Sequence, residues 1–378
     1  MFLPYSFGIL RYLGLWHTET IYRWILYLQM IYSYFMISLI SSEVLFESIA
    51  LVSNYNNFQQ FVDSSIILVT MLGICGKMFN VIIKSKEIIQ LINILNSYPC
   101  CSQDSEEKKI QDEFDKMINF RTLAFLVVTE SAVILTTSVS IICDTPNRIM
   151  FFNTWLPFDT STIIGYWIAY IHQVLAHFFG ALADVAYDTL IPGLMLKICA
   201  QLSILEYRLK LLAKHSYYSD SSVDNKQREM NAATECVKHH LKIFQLAERT
   251  NRVFSTLMFV QFSISTYGIC VTIYRLSQVE ISDPEFASMA GYFMVLLSQI
   301  FGPCLASTEC SIKSCDIVTA VYQTDWYNLS IASQKSLLLI MTRSYRPLRF
   351  NAGYFIEISL NSFNQLIKLS YSAYNVLQ

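Results

Sequence analysis

The stretch YFIEISLNSFNQLIKLSYSAYNVL, residues 354–377, gives the chain 24 consecutive residues with a helical pattern. At about 1.5 Å per residue they would form a helix of roughly 36 Å, which is long enough to cross a hydrocarbon core of about 30 Å. A spanning helix must keep polar groups away from lipid, against partner helices or a watery lumen. Polar residues recur here at three- and four-residue steps, so they share one face: Asn361, Gln365, Lys368, Ser372 and Asn375. Repeated by subunit symmetry, this face predicts the wall of a pore.

The composition indicates a membrane protein. Of the 378 residues, 53% are hydrophobic and 15% are charged, and the mean hydropathy is +0.39. An ordinary soluble domain has about 25% charged residues. The net charge of −2 provides no basic field for nucleic acid, so we expect no nucleic-acid partner. The ten cysteines form no CxxC pair, which favours buried thiols over a zinc or redox site.

The sequence contains no pattern that predicts an enzyme. We expect no catalytic site, no metal site and no cofactor. The first twenty residues interleave polar and apolar positions, without the basic start and compact apolar core of a cleaved signal peptide.

Seven segments are apolar enough to predict membrane spans. They lie at about residues 24–42, 62–83, 122–143, 160–183, 253–274, 286–308 and 354–377. Lys77 interrupts the second span near its end, from where its side chain is expected to snorkel to the interface. Asp184 and Asp188 continue the fourth span one helical turn apart, where like charges repel. We expect them to serve as structural hydrogen-bonding groups, with a role in gating or in the ion path as the alternative. The fold class is therefore an all-α membrane protein, with helical extensions outside the membrane over about 197–252.

Lys and Arg are distributed asymmetrically around these spans. The N-terminus and the loops 84–116, 197–252 and 310–350 carry 22 of the 27, whereas the other three connections carry only Arg148 and Arg275. The positive-inside rule then predicts a cytoplasmic N-terminus and an extracellular C-terminus. In this orientation the sequon at Asn328 is cytoplasmic and unmodified. Glu309, at the cytoplasmic edge of span six, is expected to meet a cation from residues 335–349.

The last 70 residues resemble the C-terminal signature of insect odorant receptors. The positions that carry the resemblance are Trp326-Tyr327, Lys335, Leu339-Ile340-Met341, Arg343-Ser344-Tyr345-Arg346-Pro347, Ala352-Gly353, Ser359-Leu360, Phe363, Lys368 and Ser370-Tyr371-Ser372. The resemblance implies an odorant-gated, non-selective cation channel in the plasma membrane. In such a channel a tuning subunit binds a small volatile hydrophobic ligand and assembles with a co-receptor into a heterotetramer, surrounded by membrane lipid.

The resemblance also implies how the chain is divided. Residues 1–310 would hold spans one to six, with the odorant pocket in their outer half. Residues 311–350 would form a cytoplasmic anchor together with extensions of helices four to six. Residues 351–378 would form the pore-lining helix, in which Val376 falls where the co-receptor has its apolar gate and Gln365, Lys368, Leu369 and Ser372 fall on the wall below it.

A volatile ligand carries few polar groups, so its site should be mostly apolar with a few hydroxyls. Because aromatic and Met side chains on membrane helices usually just pack, the resemblance supports this region rather than individual residues. The outer halves of spans two to six offer Ile67, Thr70, Met71, Val133, Thr136, Thr137, Ser140, Tyr166, Tyr170, Gln173, Tyr267, Phe293, Met294 and Leu297.

Three other classes of protein remain as alternatives. A G-protein-coupled receptor would have the opposite orientation, an Asp-Arg-Tyr after span three and an Asn-Pro-x-x-Tyr in span seven. A gustatory receptor of the same superfamily would end in Thr-Tyr and Gln-Phe, where this chain has Ser370-Tyr371-Ser372. A transporter would show inverted repeats or paired broken helices, and the sequence shows neither.

Overall fold

The structure is a computed structural model that describes residues 3–16, 23–53, 58–152, 154–218 and 223–377. Residues 54–57, in the polar stretch Asn54-Tyr55-Asn56-Asn57 that predicts a loop after the first span, lie outside these residues. So do residues 219–222, within the stretch 216–225 that predicts the one loop of the extension over 197–252. The described residues form a helical bundle with one small hairpin. Its elements are α1 (Pro4–Tyr12), α2 (Arg23–Ser53), α3 (Phe58–Ile83), α4 (Ser85–Asn96), α5 (Ser105–Cys143), α6 (Ile163–Tyr218), α7 (Val223–Leu276), α8 (Pro284–Tyr322), α9 (Ile331–Ser344), β1 (Asn351–Ala352), β2 (Ile356–Glu357) and α10 (Leu360–Leu377).

Six of the described helices are long and apolar enough to cross a membrane, namely α2, α3, α5, α6, α7 and α8. This confirms an all-helical membrane fold. The 18 residues of α10 give a helix of about 27 Å, and its polar face lowers its hydropathy, so it is not one of the six. The seventh span therefore stays a prediction.

The bundle has two dissimilar ends. At the loop end lie the connections 144–162 and 277–283. At the opposite end, which we call the extended end, the C-terminal part of α6 and the N-terminal part of α7 continue beyond the length that a membrane requires. There α9 packs against α7 and α8. With 56 residues, α6 is about 84 Å long, far more than a membrane requires. It is also the central helix, because nearly every residue from 183 to 205 is buried.

Local sequence explains where several helices begin. Asp104 caps α5 by accepting a hydrogen bond from the Glu107 amide at 2.8 Å, and the Glu107 carboxylate accepts one from the Gln103 amide at 2.7 Å. At α8, Asp283 accepts from the Glu285 amide at 2.9 Å, and Pro284 occupies the first helical position.

The prediction of one continuous helix from residue 354 is wrong at its start. Residues 351–357 form the β1–β2 hairpin, in which Asn351 pairs with Glu357 and Ala352 with Ile356. Gly353 has a left-handed backbone, with φ of 62°, which no residue inside an α-helix adopts. Ser255 on α7 fixes this turn, since its carbonyl accepts from the Gly353 amide at 2.8 Å and its hydroxyl donates to the Gly353 carbonyl at 2.9 Å.

A buried polar cluster ties the elements of the extended end together. Arg208 on α6 donates to both carboxylate oxygens of Glu107, at 2.6 and 2.8 Å, and to the Pro99 carbonyl at 2.8 Å. His239 on α7 lies 3.2 Å from the same guanidinium. Burial raises the pKa of the neighbouring Cys100 thiol to about 11, so this cysteine stays protonated and packs as an apolar group.

Candidate functional site

A cavity of about 570 Å³ lies among α3, α5, α6, α7 and α8 in the half of the bundle nearer the loop end. Its volume suits one small organic molecule. Apolar side chains form most of its wall: Ile66, Ile67, Met71, Ile74, Ala132, Val133, Val139, Phe151, Phe152, Ala181, Met289, Val295 and Leu296.

Hydroxyl groups interrupt this apolar wall, and most are already paired across helices. Ser288 on α8 donates to Thr136 on α5 at 2.9 Å. The hydroxyls of Thr70 on α3 and Tyr292 on α8 are 2.7 Å apart. Tyr170 on α6 donates to Ser140 on α5 at 3.2 Å. These bonds fix the spacing of the helices around the cavity, so a ligand would meet a preformed wall with few unsatisfied polar groups.

The deep end of the cavity is a buried charge cluster, which we call the Lys77 cluster: Lys77, Asp184, Asp188 and Gln299. The Lys77 ammonium lies 2.5 Å from Asp184 and 2.8 Å from Asp188, and all three side chains are buried. Gln299 on α8 donates to the other oxygen of Asp184 and accepts from Gln261 on α7 at 3.0 Å. The cluster thus links α3, α6, α7 and α8 through one set of polar contacts.

The expectation for Lys77 is wrong. Lys77 does not snorkel to an interface, because two carboxylates hold its ammonium inside the bundle. Asp184 and Asp188 do accept hydrogen bonds as expected, and the Lys77 ammonium between them offsets their mutual repulsion. Glu309 also differs from expectation: its cation is Arg121 on α5, at 2.7 and 3.1 Å, and not a residue of 335–349.

At the loop end the cavity is bordered by charged groups and by a folded loop. Arg275 lies 3.3 Å from Glu285 at this border. The loop that contributes Phe151 and Phe152 is held by Gln173 on α6, whose side-chain amide exchanges two hydrogen bonds of 3.1 Å with the backbone of Phe152. Tyr166 donates to the Ile149 carbonyl at 3.0 Å and holds the same loop.

Of the fourteen residues predicted for ligand binding, six line this cavity: Ile67, Thr70, Met71, Val133, Thr136 and Ser140. They belong to α3 and α5, where the predicted face is the one that faces the cavity. Their direct contact with a ligand stays a prediction.

The other eight predicted residues do not line the cavity. Three act through hydrogen bonds around it, since Tyr166 and Gln173 hold the 149–154 region and Tyr170 reaches Ser140. The Thr137 hydroxyl donates to the Val133 carbonyl at 2.8 Å, and Tyr267 pairs with Ser65 at 2.6 Å. On α8 the remaining three lie outside the cavity wall: Phe293 and Leu297 pack against the core, and Met294 is exposed.

The face of α8 that lines the cavity was not predicted. Ser288, Tyr292, Val295, Leu296 and Gln299 follow helical steps and form one stripe. The residues predicted on α8 are Phe293, Met294 and Leu297. They lie on a different face, about 100° or more around the helix axis from Tyr292. The available signal was the set of polar groups on this face, Ser288, Tyr292 and Gln299, which a lipid-exposed stripe would not carry.

The last helix presents the predicted polar face away from the bundle. Gln365, Lys368, Leu369 and Ser372 are exposed, whereas Phe363, Leu366 and Ile367 pack against the core. The Phe363 ring contacts Phe301 on α8 with ring centroids 5.5 Å apart. The side chain of Val376 lies outside the described part of the chain. Whether this face lines a pore stays a prediction.

Solved structures share this fold. The structure of the insect olfactory receptor OR5 from Machilis hrabei in complex with eugenol superposes with a TM-score of 0.85, covering 99% of this chain and 97% of that chain at 20% identity. A second structure of the same receptor superposes with a TM-score of 0.86, covering 98% of this chain and 96% of that chain at 20% identity. At this level of identity the likeness extends to the fold.

Sequence relatives point to the same group. Odorant receptor 46a, isoform A, of Drosophila melanogaster is 24% identical over 231 residues, 59% of each protein. Odorant receptor 10 of Aedes albopictus is 24% identical over 213 residues, 56% of this chain and 55% of that receptor. The chain therefore spans less than two thirds of the length of these two relatives. The family model described as 7tm Odorant receptor matches residues 57–371, most of the chain. This protein, a multi-pass protein of the cell membrane, belongs to the 7tm odorant receptor family.

Proposed function

We propose that this chain is the odorant-binding tuning subunit of a ligand-gated, non-selective cation channel and that it assembles with a co-receptor. The observation that carries the proposal is the cavity of about 570 Å³, which is mostly apolar and has most of its hydroxyls paired across helices. Such a wall favours a small hydrophobic molecule, because burying apolar surface contributes about 25 cal/mol per Å² and no polar group of the wall must be stripped of a partner. Family membership supports the same ligand class.

The exposed face of α10 supports the channel part of the proposal. Gln365, Lys368 and Ser372 are polar, and no other described helix of this chain covers them. In a membrane, such a face requires either partner helices or water. A ring of α10 helices from several subunits around a water-filled lumen would meet this requirement. The opposite face, with Phe363 and Ile367, packs each α10 helix against its own bundle.

Co-expression tests the function directly. The full-length chain is expressed in cells with a co-receptor, without it, and with the co-receptor alone, while G-protein signalling is blocked. We expect odour-evoked cation current in the first case only. A current that disappears with the G-protein block supports a G-protein-coupled receptor instead, and a current from the chain alone removes the need for a co-receptor.

The proposed orientation places the extended end in the cytosol, following the Lys and Arg distribution. An epitope tag after Gln378 should then stain on intact cells, and a tag before Met1 should stain only after permeabilisation. A second readout is Asn328, which should carry no glycan. Staining in the reverse pattern, or an endoglycosidase-sensitive mass shift lost in Asn328→Gln, contradicts this orientation.

Filling the cavity should change the response to ligands. Val133 is buried and lines the cavity, so Val133→Phe inserts a ring into the space the ligand needs. Overpacking a well-formed pocket costs about 1–3 kcal/mol, which corresponds to a loss of sensitivity of about 5- to 150-fold for large ligands. Concentration–response curves for a series of odorants of increasing size measure it.

The matched control is Thr137→Phe, one turn further along α5 and outside the cavity wall. It should leave the ranking of ligands unchanged. If Thr137→Phe reorders the ligands and Val133→Phe does not, the ligand binds on a different face of α5.

A further inference from the structure

A second cavity, of about 250 Å³, lies among α5, α6 and α8, nearer the extended end than the first. Its apolar wall includes Ile118, Phe125, Val128, Leu196 and Leu305. Phe120 and Phe301 lie at its border and are exposed on the outside of the bundle. A molecule dissolved in the hydrocarbon of the bilayer could reach the cavity past these two rings without passing through the first cavity.

In the described part of the chain, six polar residues line the second cavity, and four of them already have partners: Arg121 pairs with Glu309, Thr189 with Ser6, Ser298 with the Met294 carbonyl and Gln299 with Asp184. The other two are Asp188 and Thr122. Asp188 is buried, and among the described residues only Lys77 donates to it. A carboxylate can accept more hydrogen bonds than one ammonium supplies. Thr122 is 3% exposed, and its hydroxyl makes no hydrogen bond to another residue of the described ranges. By contrast, Thr136 and Thr137 on the same helix donate to carbonyls four residues back.

Charge and geometry together define the ligand. The Lys77 cluster has two carboxylates for one ammonium, so its electrostatics favour a hydrogen-bond donor beside Asp188. Asp184 already accepts from both Lys77 and Gln299, whereas Asp188 does not have a second donor among the described residues. A hydroxyl is a small neutral group that can donate to Asp188 and can either donate to or accept from Thr122, and it enters a bilayer at lower cost than an ammonium.

We propose that the second cavity is a binding site for a small apolar molecule that carries one hydroxyl group, such as a medium-chain alcohol, taken up from the membrane. The two cavities share Gln299, and each is lined by one aspartate of the Lys77 cluster. A hydroxyl that donates to Asp188 neutralises part of the negative charge that holds Lys77, and so changes the floor of the first cavity. The site is therefore also a place from which ligand binding in the first cavity is modulated.

Photolabelling tests the site without any reference to current. The full-length protein in lipid nanodiscs is irradiated with a diazirine analogue of 1-octanol or with the matching diazirine octane, and labelled residues are found by mass spectrometry. We expect the alcohol probe to label α5 near 118–128 and α8 near 298–305 about tenfold more than the alkane probe, the ratio expected for one hydrogen bond to a charged group. Thr122→Val and Asp188→Asn should each reduce this ratio.

Gly302 provides the variant that fills the site. Gly302 lines the second cavity, and a Cβ placed there meets no other atom within 4 Å. The Cβ of Gly302→Leu therefore causes no clash, and the rest of the side chain fills the cavity. It should remove labelling of the second cavity and leave labelling of the first. The matched control is Gly8→Leu on α1, where a Cβ also meets nothing within 4 Å; it should change neither.

Three results overturn the proposal: labelling of these segments that persists in Gly302→Leu, equal labelling by the two probes, or labelling confined to the first cavity.

Modulation of odorant binding by the second cavity is tested separately and rests on the proposed channel function. Octanol should shift the odorant concentration–response curve of the wild-type receptor but not that of Gly302→Leu. If photolabelling succeeds and no odorant evokes current, the binding site stands and the proposed function fails.

Discussion

Replacing Lys77 by methionine should strongly destabilise the receptor. The substitution leaves Asp184 and Asp188 one helical turn apart inside the bundle without the ammonium that lies 2.5 and 2.8 Å from them. Removing one partner of a buried ion pair typically costs about 3–5 kcal/mol, because the remaining charge stays buried. We expect the apparent melting temperature of the detergent-solubilised full chain to fall by roughly 5–10 °C, measured by size-exclusion chromatography after heating.

Two further variants separate charge from packing. Lys77→Met combined with Asp184→Asn and Asp188→Asn keeps similar volumes and removes all three charges, so it should recover most of the lost stability. Lys84→Met, a few residues further along, removes an ammonium that is partly exposed and pairs with Glu87; an exposed pair contributes at most about 1 kcal/mol. Equal losses for Lys77→Met and the triple variant would mean that the unpaired carboxylates are not what destabilises the bundle.

The Lys77 cluster also shows what the sequence could not predict. Lys77 and Asp184 are 107 residues apart, and no periodicity within one helix indicates which residues another helix will bring to it. Taken alone, Lys77 near the end of a span fits snorkelling, and two aspartates one turn apart fit mutual repulsion. The ion pair depends on how α3 rotates against α6, which is decided by packing between the two helices.

The membrane-spanning helices were predictable because each contains a long, predominantly apolar run. A bilayer leaves a spanning segment no alternative to helical hydrogen bonding, so composition alone identifies such segments. The rotation of each helix is harder to predict. On α5, the hydroxyls of Thr136 and Ser140 indicated the face that lines the cavity. On α8, the prediction relied on the large side chains of Phe293 and Met294, which lie on a different face.

The hairpin before α10 was missed for a different reason. Residues 354–358 are mostly apolar and continue the helical pattern of the last segment, so a longer helix was predicted. The competing signal was Gly353, whose backbone can adopt a positive φ, and its effect depends on hydrogen bonds to Ser255 from a distant helix. Local pattern and tertiary contact therefore disagreed, and the tertiary contact determined where α10 begins.

The exposed face of α10 leads to the second large expected effect. If this face lines the pore, Lys368→Gln should raise cation conductance, because it removes a positive charge from the path of a cation. At a distance of about 7 Å in water, two unit charges interact by about 0.6 kcal/mol, which is close to RT. One substituted subunit should therefore raise single-channel conductance roughly two- to threefold, and more if several copies enter the tetramer. Single-channel recording at low ionic strength measures it, since salt screens the charge.

Cysteine accessibility identifies the face itself. Cysteines at Gln365, Lys368 and Ser372, which are exposed, should react with a small charged thiol reagent applied to open channels and should change the current. Cysteines at Phe363 and Ile367, which pack against the core, should not react. Val376→Gln adds a separate test: a polar ring cannot close a pore by dewetting, so the channel should leak without odorant. If the polar face instead packs against a neighbouring subunit, Lys368→Gln changes assembly but not conductance, and the reagent has no effect at any of these positions.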